Sequence, residues 1–142
     1  MKPVMQTKVG IQGNCLTACI ASLFELNIDQ VMDFHTGTKN GATQTDPEAV
    51  NIYWNNVHQW LNQNNFGIIH LGDSDNVLET IGMIEGYFLV GGKSPRGFMH
   101  SVIYTKDGLA HDPHPEGGGV IPQSVSLIYP MFNKAQRVTE ND

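Results

Sequence analysis

The periodicity of the chain changes partway along it, and that change predicts an α+β domain with N-terminal helices packed on a mainly antiparallel sheet. Three observations carry the reading. Apolar residues recur at helical spacing from Cys15 to Leu26, and they do so again after Asp46. Beyond Gly67 the pattern becomes short apolar runs bounded by Gly, Pro and Asp. Helices first and strands after give segregated layers rather than an alternating parallel sheet.

The first helix is placed on CLTACIASLFEL, where Leu16, Ile20, Leu23 and Phe24 recur on one side. Asn14 stands at its N-cap position, and Gly13 frees the chain to turn sharply into it. A short helical piece is expected in IDQVMDF, followed by a polar Gly/Thr loop to Thr45. Asp46-Pro47-Glu48 is a helix start by its chemistry: a cap, a proline at the first position and an acid in the first turn. Val50, Tyr53, Trp54, Val57, Trp60 and Leu61 form the stripe of that helix, which Asn64, Asn65 and Gly67 end. Strands are expected in FGIIHL, YFLVGG, FMHSVIYT, LAHD and SVSLIYP. The chain reads as one domain over residues 1–142, with a polar, frayed tail at 133–142.

Composition narrows the function classes. The 142 residues are 40% hydrophobic and 15% charged, with a net charge of −6. A mean charged fraction is about 25%, so this is a lightly charged globule. Residues 21–90 hold one basic residue, Lys39, among nine acidic ones, which disfavours nucleic acid and anionic membranes as partners. Two cysteines make no disulfide framework. The start, MKPVMQTKVG, lacks the apolar run of an export signal, so a cytoplasmic location is expected.

Chemistry converges on three places. Cys15 opens a helix, where backbone N–H groups and the helix dipole favour thiolate. Cys19, between Leu16 and Ile20, reads as a core residue. His100 lies on a strand, and Asp112 follows it across a hairpin. A three-residue loop with Gly108 as a left-handed bulge pairs Thr105 with Leu109. Asp112 then faces Val102 and lies diagonal to His100 on one face, whereas a two-residue loop would put them on opposite faces. In the first case Asp112 orients the His100 ring. His111 and His114 add a loose metal-ligand pattern with the cysteines, but two prolines stiffen the segment and His111 alternates away from Asp112. His58 and His70 read as structural or solvent-facing.

A Cys starting a helix in GNCLTACIASLFEL, then HSVIY and a hairpin to HDP, resembles the papain-like cysteine peptidase superfamily. Small bacterial and phage proteins of its C39-like and NlpC/P60-like branches look most similar, through Pro3–Thr7, Gly13–Leu23, Gly91–Gly97 and His111–Gly119. The resemblance implies a papain-like fold and hydrolysis of a peptide, isopeptide or thioester bond without a cofactor. It makes Cys15 the nucleophile, His100 the general base and acid, and Asp112 the orienting group. It further calls for a Gln upstream of the Cys to hold the oxyanion, with Gln6 favoured over Gln12. The usual spacing falls on Val9, and Asn14-Cys15-Leu16 stands where C39-like members have Asp-Cys-Gly. Gly91–Gly97 and Glu116–Gly119 are expected to flank the cleft as mobile loops. Arg96, Asn14 and Gln12 are candidate substrate contacts, Arg96 for a carboxylate. A catalytically idle papain-like module that binds a partner protein, and a small zinc-binding protein, are the competing readings. Substrate identity and oligomeric state are not set by the sequence.

Overall fold

The structure, a computed structural model, describes residues 1–71 and 75–132. The tail expected at 133–142 lies outside the described residues. Among the described residues the architecture is α+β, with three α-helices and a five-stranded antiparallel sheet of order β1-β5-β2-β3-β4. The helices are α1 (Cys15–Phe24), α2 (Pro47–Gln63) and α3 (Val77–Gly82). The strands are β1 (Phe66–Leu71), β2 (Phe88–Lys93), β3 (Met99–Thr105), β4 (Gly108–His111) and β5 (Ile121–Pro130).

Helix α2 begins as its sequence dictates, with Pro47 at the first position and the Asp46 carboxylate accepting from the Glu48 N–H at 3.0 Å. The piece expected in IDQVMDF shrinks to one 3₁₀ turn, Ile28–Gln30, and a second such turn, Ala42–Gln44, interrupts the Gly/Thr loop. Helix α3 was not anticipated: six residues without a side-chain cap carry too little periodicity to read.

Two apolar clusters explain why β2 and β3 lack alternation. Leu16, Ile20, Val57 and Leu61 from α1 and α2 pack with Ile68, Leu89 and Ile103 on one sheet face. Val77 and Ile81 of α3 pack with Phe88, Val90, Val102 and Val125 on the other. Successive strand residues point to opposite faces, so a strand covered on both sides is apolar throughout. Helix α1 is likewise buried almost all round, from Leu16 to Ser22. The N-terminal segment lies along it, with Lys2 N–H on Ser22 O at 3.0 Å and Val4 N–H on Ser22 Oγ at 2.9 Å.

The β3–β4 hairpin corrects the sequence expectation. Thr105 pairs with Gly108 and Tyr104 with Leu109, so the loop is the two residues Lys106-Asp107, not three. Gly108 still takes a positive φ of 123°. The register then shifts, and Ile103 pairs with His111, leaving Ala110 as the extra residue. That bulge restores the parity which the short loop removes. Past it, Asp112 returns to the face of His100. Gly91 and Gly92 belong to β2, as the strand expected in YFLVGG has it, so the loop expected over Gly91–Gly97 begins only past Lys93. A Cβ on Gly92 would run into the Ile121 carbonyl of β5, where the register shifts.

Candidate active site

The first turn of α1 puts Cys15 at the wall of a cavity of about 700 Å³. Its N-cap departs from expectation. Asn14 makes no side-chain cap; its Oδ1 accepts from the Thr7 and Lys8 N–H groups at 3.0 and 2.9 Å. Its amide donates to Thr7 Oγ1 at 2.8 Å. Asn14 therefore ties down the preceding loop, and its side chain is spent there rather than on a ligand. The N–H groups of Cys15 and Leu16 lie within reach of the sulfur.

Strand β3 carries His100, and Asp112 follows the end of β4. His100 Nε2 and Asp112 Oδ1 are 2.7 Å apart, in side chains 5% and 6% exposed. Asp112 Oδ1 also accepts from the His114 N–H at 2.9 Å, and Oδ2 accepts from the Gly119 N–H at 2.8 Å. Burial works to raise the Asp112 pKa, but His100 and these two N–H groups outweigh it and hold the carboxyl below its ordinary value. His100 is pushed below its ordinary 6.5, chiefly by burial. Asp112 opposes that shift, while Arg96 and His114 add to it. The ring is neutral at pH 7. With Nε2 donating to the carboxylate, Nδ1 is left as a base.

The sulfur departs from the expected thiolate. Burial pushes the Cys15 thiol up, against the N–H and hydroxyl of Ser101 and the N–H groups of Leu16 and Cys15. The sulfur is thus held as a thiol, and the His100 ring that lines the same cavity is neutral. Ser101, next to His100, links the two cysteines: Cys19, fully buried, donates its S–H to the Ser101 carbonyl at 3.4 Å. That places Cys19 in the core, as its position in the helix suggested.

Of the two glutamines, Gln6 lines the Cys15 cavity and Gln12 lines a separate one with Lys8, Asp33 and His35. Gln6 is buried, its backbone N–H on Pro113 O at 3.0 Å and its amide on Lys8 O at 2.8 Å. Only one of its two amide N–H groups is needed for that bond. Gln12, expected as a substrate contact, is therefore away from Cys15's cavity. Arg96 does line it, with Nη1 donating to Gly117 O at 2.8 Å.

Sequence reasoning missed several wall residues. His35 Nε2 lies 3.2 Å from Gly13 O, just before the Cys15 turn. His70, read as structural or solvent-facing, borders the cavity with Nδ1 2.6 Å from Ser126 Oγ and its ring against Trp54. Long-range strand pairing between β1 and β5 creates that contact, and no local signal announces it. His111 is taken up by Val4 O at 2.9 Å. Among the described residues, no three His, Cys, Asp or Glu side chains converge to hold a metal ion. Also among them, no helix is long and apolar enough to cross a membrane.

Scans of protein-family models, curated proteins and solved structures each give no match to this chain. The functional reading therefore rests on the geometry above.

Proposed function

We propose that the chain is a papain-like cysteine hydrolase acting on an amide or thioester bond of a peptide or protein. The observation that carries this is the buried 2.7 Å His100–Asp112 pair, in one cavity with a helix-opening cysteine. Asp112 fixes the ring and stabilises the imidazolium that forms. His100 takes the Cys15 proton as the sulfur attacks the carbonyl carbon, then gives it to the leaving group. Water, deprotonated by the same ring, releases the acyl group. The Cys15 N–H and the second amide N–H of Gln6 are the donors for the oxyanion.

The raised thiol favours one competing reading, an idle module with a half-buried, inert cysteine. Alkylation separates the two. Iodoacetamide at pH 7 is expected to label Cys15 about 10²-fold faster in the native chain than in His100→Ala, the scale of general-base assistance. Equal rates in the two proteins would leave the idle module as the better account.

A further inference from the structure

We infer that the leaving group of this site carries a free carboxylate, bound by Arg96 and Ser94, so that the substrate is a peptide cleaved near its C-terminus. The inference rests on the hydrolase reading above and adds the substrate class to it. It starts from polar atoms without partners. Among the described residues, six buried side-chain atoms lack a hydrogen bond: Gln6 Oε1, Gln12 Oε1, His35 Nδ1, Thr43 Oγ1, Ser94 Oγ and Arg96 Nη2. Five of those residues line the Cys15 cavity, Gln12 being the exception. Buried polar groups are nearly always paired, so a cluster of unpaired ones around one cavity points to a ligand that completes them.

Two of the five are donors on a single turn. Ser94 and Arg96 sit between β2 and β3, in a turn closed by Ser94 N–H to Phe98 O and Gly97 N–H to Ser94 O, each at 2.9 Å. The guanidinium is already fixed through Nη1 to Gly117 O, which leaves Nη2 and the Ser94 hydroxyl unmatched. A planar group with two acceptor oxygens and a negative charge suits that pair. Arg96 is the one Lys or Arg among the described lining residues, in a chain of net charge −6. The attraction is therefore local, not a property of the whole surface. Glu116, the one lining carboxylate, is exposed, and its N–H is bonded to His114 Nδ1 at 3.0 Å.

The side of the cavity follows from His100. The ring that protonates the leaving nitrogen must touch the leaving group. Arg96 precedes His100 by four residues, and its charge acts on that ring. The loop it grips carries His114, whose ring centroid is 6.0 Å from that of His100. The carboxylate thus belongs beside the departing amine, and the apolar wall of Val50, Tyr53, Trp54 and Leu89 remains for the acyl part. In the reaction, the bond from sulfur to the carbonyl carbon forms as the C–N bond breaks. The Cys15 proton passes through His100 to the nitrogen. Water then supplies OH to the acyl carbon and returns a proton to sulfur through His100, so one peptide and one water give two shorter products.

The test uses N-acetylated peptides of apolar residues, each made as the free acid and as the C-terminal amide. Cleavage by the native chain is followed by mass spectrometry, and binding to Cys15→Ala by calorimetry. The acid form is expected to exceed the amide by about tenfold or more in both kcat/KM and affinity, the scale of a charged hydrogen bond. Arg96→Gln should bring that ratio near one, and Arg96→Lys should keep part of it. A ratio near one in the native chain, or an undiminished ratio in Arg96→Gln, overturns the carboxylate site. A clear acid preference in binding, with no turnover of either form, upholds the carboxylate site and overturns the hydrolase reading.

Discussion

His100 and Cys15, the proposed base and nucleophile, owe their state to burial as much as to charge. His100 is pushed below 6.5 and Cys15 is pushed up from 9.0, chiefly by desolvation in each case. Two neutral groups then coexist near pH 7, and in the proposed mechanism the proton moves only when the sulfur attacks. In the proposed mechanism a neutral His100 is the working form, so activity is expected above its pKa and is lost as pH falls through it. The rate of Cys15 alkylation should rise along an acid limb whose midpoint lies below 6.5. It should then stay flat, and rise again only where the thiol ionises by itself. In His100→Ala the acid limb should vanish. A single rise centred above 9 in the native chain, where the raised thiol ionises by itself, would show that His100 gives no assistance.

At the scale of elements, the site depends on two irregularities of the sheet. The bulge at Ala110 puts Asp112 on the His100 face, and the Gly91-Gly92 pair lets β5 approach β2. Gly92 pairs with His100 itself. Gly92→Ala should therefore force β5 away, lowering the thermal midpoint and reducing Cys15 labelling together; thermal denaturation and alkylation measure both. An unchanged midpoint with unchanged labelling would mean that this close approach does not matter. Much of this level was readable in the sequence. Asp46-Pro47-Glu48 announces α2 because capping is local chemistry, and Cys15 was placed correctly at a helix start. The His100–Asp112 contact was anticipated, but through a three-residue loop, whereas two residues and a bulge make it. Register depends on pairing energies summed along β3, and no tetrapeptide states them. Asn14 was misread for a similar reason: its partners, Thr7 and Lys8, belong to a loop folded back on the helix end.

For the whole molecule, the sheet is covered on both faces. Val90, Val102 and Val125 meet α3 on one, while α1 and α2 cover the other, where Leu16 and Leu89 join both the core and the cavity wall. Cys15 comes from the N-terminal layer and His100 from the sheet, so the cavity they line exists only when the two layers are packed. The N-terminal segment closes the arrangement, bonded to α1 through Ser22 and to the HDPHP loop through Gln6 N–H on Pro113 O. The light charge of the chain gives the His100–Asp112 pair few competitors, and Arg96 is the one strong cation among the lining residues described. The central claim is that Cys15 forms an acyl intermediate with the help of His100. Intact-mass spectrometry tests it most directly, on chain mixed for seconds with the p-nitrophenyl ester of an N-acyl amino acid at pH 7. The account predicts one added acyl group, mapped to Cys15, that water removes, with far slower acylation in His100→Ala. Acylation that persists in Cys15→Ala, or that proceeds as fast without His100, would contradict it.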